Sequence, residues 1–370
     1  MKNFNFVAPV NIKFGEKAIN VLDEIKNKKI LILTFPELYK NGCYDNVLNH
    51  LTGNKIVLIT DIEPNPTCDN IDNALKVARD NQVELIIAVG GGSIMDVAKC
   101  VSLIMLNGGK ALDYLYGKKI VTAGLPLYCI PTTSGTGSEV TNVAVISEKS
   151  LGIKRPIVSS YMLPKYALII PSMTLTVPPR ITAETGWDAF THSIEAYWNK
   201  ESNPISDAIA KDAIKLILEN INTAYNNGSD INARENLALA SLMAGVAFAQ
   251  TRTTALHGLS FRFTSHYKIS HGRACVLTLL PILKAINNTD NIKMQQLVHY
   301  LGYDNSDMFY ADLKSKLIAT GMPLTLAEVN VPISDIDNLV DDGMKNGIIF
   351  LTPLEMTREF VYNIFMDIAE

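Results

Sequence analysis

"VELIIAVGGGSIMDVAK", residues 83–99, decides the fold. Its first half is a short apolar run of strand length. Three consecutive glycines then break the run, and Ser93 leads into a stretch with helical periodicity. Strand, glycine turn and helix in that order make the repeating unit of a parallel sheet. Working outward, the same kind of run appears in "KKILILTF" (28–35), "NKIVLIT" (54–60) and "LPLYCIPTT" (125–133), with helical segments such as "CDNIDNALKVARDNQ" (68–82) between them. Strands that read as continuous apolar runs are buried on both faces, so the first half is predicted to be an α/β domain, a Rossmann-like parallel sheet covered by helices on both sides.

The pattern changes at "LTVPPRITAETGWD" (175–188). Beyond it come long helical periodicities, "ISDAIAKDAIKLILENINTAY" (205–225), "ARENLALASLMAGVAFAQ" (233–250) and "DNLVDDGMKNG" (337–347), with no convincing strand. Pro178 and Pro179 mark the expected boundary, giving an α/β domain over 1–179 and an all-helical domain over 180–370. A chain of 370 residues suits two domains.

Composition narrows the function. The net charge is −4 and no Lys/Arg cluster interleaves with aromatics, which speaks against a nucleic-acid surface. The opening "MKNFNFVAPVNIKFGEKA" lacks an apolar signal core, and no segment reaches a membrane span, so a soluble cytoplasmic protein is expected. The five cysteines are odd in number and lack C-x-x-C spacing, the signature of reduced and mostly buried thiols rather than a disulfide framework.

Two loops carry binding chemistry. In the first, Gly91, Gly92 and Ser93 allow close approach of backbone to a ligand, and the helix that follows presents free N–H groups suited to a pyrophosphate. The second, "IPTTSGTGSEVT" (130–141), offers the hydroxyls of Thr132, Thr133, Thr136 and Thr141 after another apolar strand. Each alone is equally well read as a structural turn or cap. Together they point to a dinucleotide at the strand C-terminal ends, although G-x-G-x-x-G is absent.

The third signal is "TGWDAFTHSIEAYW" (185–198), in which Asp188 and His192 lie four apart and so on one helix face. A core hydrogen bond would explain the pair, and so would half of a metal site. The chain has only six histidines, and His257, His266 and His271 fall within fifteen positions. His257 and His271 are spaced as about four turns of one helix, or as two helices if the chain breaks near "YKIS". Either way they could join Asp188 and His192 around one divalent ion, a donor set suited to Fe²⁺ or Zn²⁺.

The blocks "GGGSIMDVAK" (90–99), "PTTSGTGSEVT" (131–141), "DAFTHSIEAY" (188–197) and "HGLSFRFTSHYKISHG" (257–272) resemble, in order and distance, the iron-containing or group III alcohol dehydrogenases. The resemblance extends from "VNIKFGEKA" and "EPNPT" into the helical half. It implies a dinucleotide domain, a helical metal domain of dehydroquinate synthase-like architecture, a cleft between them, and hydride exchange between NAD or NADP and an alcohol or aldehyde. It further implies Asp188, His192, His257 and His271 as ligands of Fe²⁺, with Zn²⁺ the alternative. Gly91, Gly92, Ser93, Thr132, Thr133, Thr136, Thr141, Asn65 and Lys154 are the implied cofactor contacts, Lys154 beside the nicotinamide ribose and with a catalytic part. A homodimer or larger homo-oligomer is implied as well.

Two positions depart from the family. Phe261 stands where many relatives carry a second histidine, which removes a candidate proton carrier and makes Phe261 a pocket wall instead. Phe35 stands where NAD-dependent relatives often carry an aspartate, leaving Glu37 as a substitute and only a lean toward NAD. "TRTTALHGLSFRFTSH" (251–266) also resembles the branch associated with reducing phosphonoacetaldehyde. Arg252, Arg262 and Lys154 are then the candidate partners of a substrate anion. Simple primary alcohols, 4-hydroxybutyrate, a cyclase-like reaction and a non-catalytic relative stay open as alternatives.

Overall fold

The computed structural model describes residues 3–40, 42–148, 153–289 and 291–370. Among these residues there are eight strands: β1 (Asn11–Phe14), β2 (Lys29–Leu33), β3 (Lys55–Ile59), β4 (Leu85–Gly90), β5 (Leu127–Pro131), β6 (Val143–Glu148), β7 (Ile153–Val158) and β8 (Tyr166–Ile169). Six of them form one parallel sheet in the order β1-β8-β5-β4-β2-β3, while β6 and β7 pair as an antiparallel ribbon. Every strand therefore precedes Pro178, and the rest of the described chain is helical or irregular.

Alternation along the strands builds two cores. Leu31, Leu33, Ile86, Ala88 and Cys129 face the helices Cys68–Asp80 and Gly92–Asn107, meeting Ile71, Leu75, Val97 and Val101. Ile30, Ile32, Ile87, Val89 and Ile130 face the other way, toward Leu22, Tyr44 and Val47. Both sets are fully buried, each large side chain contributing about 1.5–3 kcal/mol of burial. This is why the sequence reads as unbroken apolar runs rather than as alternation. Thr67 starts the Cys68–Asp80 helix through a capping box with Asn70.

A buried polar network ties β6 and its preceding loop to the Gly92–Asn107 helix. Lys99 is fully buried and donates to Ser138 Oγ at 2.7 Å, Thr141 Oγ1 at 3.0 Å and the Val143 carbonyl at 2.8 Å. Asp96 accepts from Ser138 Oγ at 3.0 Å and from Val145 N–H at 2.9 Å. Asp96 and Lys99 thus reach outward to another segment. Burial lowers the Lys99 pKa against the pull of Asp96 and raises that of Asp96 against the pull of Lys99.

The helical unit has its own core around Trp187, Phe190, Ile214, Ile217, Phe263, Phe309 and Phe365. By contacts, one unit of the chain comprises Ala8–Thr133 and Gly137–Val177. The other comprises Pro178–Glu370 with the residues through Val7 and Ser134–Thr136. The last two pieces depart from a single cut after residue 179, and specific contacts explain each. The Gln250 amide exchanges two 3.0 Å hydrogen bonds with the Val7 backbone, and Gly135 lies so close to Thr185 that an added Cβ would sit 2.7 Å from the Thr185 Cβ. Cys68, Cys100, Cys129 and Cys275 are buried free thiols, and the Cys43 side chain lies outside the described residues. Among the described residues no helix is long and apolar enough to cross a membrane.

Candidate metal centre and cofactor loops

The helix Pro179–Trp198 carries Asp188 and His192, both almost fully buried. His257 lies in the first turn of the helix Ala255–Ser265, and His271 begins a separate helix, His271–Val276. The chain therefore breaks between the two histidines, and "YKIS" forms the connection. Gly272 makes the final approach possible, since a Cβ there would stand 1.9 Å from the Glu184 carbonyl oxygen. With no side chain at that point, the two backbones come together and His271 reaches Asp188.

Asp188 is the hub. Its Oδ1 is 3.5 Å from His257 Nε2 and 3.6 Å from His271 Nε2, and its Oδ2 is 3.9 Å from His192 Nδ1. The His192 ring stacks on that of His257 with centroids 4.3 Å apart. Three of these atoms, Asp188 Oδ1, His192 Nδ1 and His257 Nε2, are buried without any hydrogen-bond partner among the described residues. Orphaned buried polar atoms cost about 1–3 kcal/mol each, more when charged. Asp188 Oδ1 and His257 Nε2, 3.5 Å apart, fit a bound cation that would satisfy both, while His192 Nδ1 lies 3.9 Å from the other Asp188 oxygen and outside the tight group of donor atoms. Burial works against the Asp188 charge, yet the imidazoles packed around it hold its pKa well below the usual carboxylate range. Burial pushes His192 down to about 3 despite Asp188, so its ring is neutral and has a lone pair to give.

Two residues that the sequence reading passed over complete the neighbourhood. Glu195, fully buried on the same helix, accepts from the backbone N–H of Thr254 at 3.0 Å and Leu256 at 2.7 Å, and from Thr254 Oγ1 at 2.8 Å. Its other oxygen faces His257 Nδ1 in a short hydrogen bond. A carboxylate can only accept, so Nδ1 donates, which leaves Nε2, 3.5 Å from Asp188 Oδ1, as the nitrogen that would offer a lone pair to a bound cation. The signal was present, because Asp188, His192 and Glu195 follow the i, i+4, i+7 spacing of one helix face. The second residue is Cys275: one ligand atom from each of Asp188, His257, His271 and Cys275 lies within 4.8 Å of all the others.

Among the residues considered for the substrate, Phe261 is half-buried one helical turn after His257. Arg262 is clasped by Asp335 at 2.7 and 3.0 Å and by Asp342 at 3.0 Å, which occupies its guanidinium. Arg252 is exposed, with a positive φ of 67°, and its side chain makes no hydrogen bond or ion pair among the described residues.

In the α/β unit the register places the two glycine and hydroxyl loops side by side. β4 and β5 end at paired Gly90 and Pro131, and Thr132 N–H donates to the Gly90 carbonyl at 3.2 Å. A Cβ on Gly91 would lie 3.1 Å from Thr133 Oγ1, Gly91 leaves the helix beginning at Gly92 without a side-chain cap, and Thr132 Oγ1 is buried without a partner. Free helix N–H groups beside an orphaned hydroxyl fit a phosphate-bearing ligand. Ser93 Oγ accepts from Asn65 N–H at 3.3 Å, and Lys154 Nζ donates to Asn65 Oδ1 at 2.9 Å, so these three form one chain of contacts. Thr141 is engaged by Lys99, and Thr136 belongs to the helical unit.

Comparison with known proteins shows the family. Residues 9–171 match the model of iron-containing alcohol dehydrogenase, and residues 182–369 match that of the C-terminal region of the Fe-containing alcohol dehydrogenase family. Long-chain-alcohol dehydrogenase 1 of Geobacillus thermodenitrificans is 34% identical over 331 residues, covering 86% of this chain and 83% of its own. The 1,3-propanediol dehydrogenase of Citrobacter freundii is 33% identical over 98% of each chain. The crystal structure of sulfoacetaldehyde reductase from Bifidobacterium kashiwanohense in complex with NAD⁺ superposes with a TM-score of 0.95 at 31% identity, covering 100% of both chains. With matching models over both halves and relatives aligned along nearly its whole length, the chain belongs to the iron-containing alcohol dehydrogenase family, enzymes that interconvert alcohols and aldehydes.

Proposed function

We infer that the protein is a cytoplasmic NAD(P)-dependent reductase of a small aldehyde bearing an anionic group such as a sulfonate or phosphonate. The observation that carries the chemistry is the set of buried atoms without partners, Asp188 Oδ1, His192 Nδ1 and His257 Nε2, with His271 Nε2 3.6 Å from the first. A divalent ion held by Asp188, His192, His257 and His271, Fe²⁺ with Zn²⁺ as the alternative, would supply Lewis-acid polarisation of the substrate carbonyl. Glu195 fixes the tautomer of His257, while Asp188 stays ionised. Phe261 brings no titratable group to the turn after His257, so proton delivery falls to another group or to water.

Asn65, Gly91, Gly92, Ser93, Thr132, Thr133 and Lys154 are the proposed cofactor contacts. The NAD⁺ in the sulfoacetaldehyde reductase structure favours NAD, and so does Glu37, exposed two residues beyond Phe35. The anionic substrate is supported by that same relative and by Arg252, five residues before His257. Arg262, with its carboxylate partners, is a weaker candidate. A homo-oligomer is supported by β1, an edge strand with three exposed residues.

The test is anaerobic oxidation of NADH and NADPH by Fe²⁺- and Zn²⁺-loaded protein. The panel comprises sulfoacetaldehyde, phosphonoacetaldehyde, succinic semialdehyde and neutral aldehydes. Anionic aldehydes should give the highest kcat/KM, and Arg252→Met should lower it for them alone by about 10–100-fold, the worth of one charged hydrogen bond. Equal loss with neutral aldehydes would remove Arg252 from the substrate site.

A further inference from the structure

We propose that Asp96 and Lys99 are positioning residues for the cofactor that act through Lys154: together they grip β6, and the β6–β7 ribbon then holds the Lys154 ammonium at Asn65. The proposal rests on the reading of Lys154, Asn65 and Ser93 as cofactor contacts and adds the device that keeps them in register. Asp96 and Lys99 lie three apart on the Gly92–Asn107 helix, so they leave it on one face. Each takes hold of the backbone of β6. Lys99 donates to the Val143 carbonyl at 2.8 Å, and Asp96 accepts from the Val145 N–H at 2.9 Å. Residues two apart on a strand turn their backbone groups to the same edge, and here that edge faces away from β7, where Pro156 opposite Val145 has no N–H to offer. Ser147, two residues further on, uses the same edge to donate its N–H to the Pro66 carbonyl at 2.9 Å.

The path of contacts then closes on itself. Ser147 pairs with Lys154 across the ribbon, Lys154 Nζ donates to Asn65 Oδ1 at 2.9 Å, and the Asn65 N–H donates to Ser93 Oγ at 3.3 Å. Ser93 sits in the first turn of the same helix that carries Asp96 and Lys99. The far side of the ring is fully satisfied. An ammonium has three N–H bonds, and those of the buried Lys99 meet Ser138 Oγ, Thr141 Oγ1 and the Val143 carbonyl, while Ser138 Oγ donates in turn to Asp96 Oδ1. Buried ion pairs often add little net stability over apolar packing of the same volume, so fixing the register of helix and ribbon is the better account of this one. A slip of one residue along β6 would turn the gripped backbone groups to the other edge. Lysine has a long side chain with much rotamer freedom to lose on binding, and a ribbon that already holds it at Asn65 removes that cost from cofactor binding.

NADH binding to the full-length protein, followed by fluorescence titration, tests this in a double-mutant cycle of Lys99 and Lys154. Lys154→Met should weaken binding about 10–100-fold, the worth of one charged hydrogen bond. Lys99→Met should weaken it about tenfold in the wild-type background but by no more than about twofold in the Lys154→Met background, where the group it positions is gone. Asp96→Asn, which keeps the shape of the side chain, should repeat that pattern. Merely structural damage would weaken both backgrounds alike. That result, or no weakening in either, overturns the proposal and leaves Lys154 as a cofactor contact. Lys154→Met that binds NADH as tightly as the wild type overturns the reading of Lys154 and the proposal with it. In the cofactor-free wild-type protein, the Val145 N–H should exchange with solvent as slowly as the buried amides of the Gly92–Asn107 helix. Exchange at the rate of an exposed loop would show that the ribbon is not held, whether or not any variant folds.

Discussion

Replacing Glu195 by glutamine separates two roles that one buried carboxylate performs. Its Oε1 accepts from Thr254 N–H, Leu256 N–H and Thr254 Oγ1 at 3.0, 2.7 and 2.8 Å, capping the His257 helix, and its Oε2 accepts from His257 Nδ1. Glutamine keeps an oxygen for the cap but turns an NH₂ group toward Nδ1, setting donor against donor. Relief comes by moving the imidazole proton to Nε2, the atom that stands 3.5 Å from Asp188 Oδ1 and must offer a lone pair to the metal. Loss of such a ligand-orienting partner typically weakens metal binding about 10–100-fold, roughly 1.4–2.7 kcal/mol. Competition with a fluorescent chelator should show this loss for Zn²⁺ and Fe²⁺, while calorimetry shows the metal-free variant melting within a few degrees of wild type. A metal affinity unchanged within about twofold would refute the orienting role. Glu195→Ala should instead destabilise the metal-free fold as well, since each stranded donor costs about 1–3 kcal/mol.

Two further outcomes are expected. Gly272→Ala places a Cβ 1.9 Å from the Glu184 carbonyl oxygen and 2.8 Å from its carbon, both backbone, so the metal-free protein should lose about 1–3 kcal/mol or more and the variant should bind metal more weakly. An unchanged melting temperature would show that the helices separate without cost. Burial raises the Glu139 pKa from 4.5 to about 6, so the folded state holds this proton more tightly than the unfolded chain does. Stability should fall as pH rises through that window and then level off, the ionised group costing about 2 kcal/mol. Glu139→Gln should therefore be more stable than wild type by about that amount near pH 7 and equal to it near pH 4. Denaturant melts at both pH values check this, and an equal difference at both would rule out ionisation as the cause.

The sequence by itself determined the sheet, because strands buried on two faces must be apolar at every position. It determined the glycine turn after β4, because only glycine lets backbone and helix meet there: a Cβ on Gly90 would strike Ile94 at 2.6 Å. It also placed Asp188 and His192 on one face, since helical periodicity is local. Tertiary structure decided everything that depends on a second element. It alone brings a buried Glu195 onto the first turn of another helix, lets the bare backbone of Gly272 approach Glu184, and clasps Arg262 between Asp335 and Asp342, more than seventy residues away in sequence. It alone brings the Cys275 thiol within 4.8 Å of donor atoms of Asp188, His257 and His271, because spacing along a chain says which face a side chain leaves from and nothing about what that face meets.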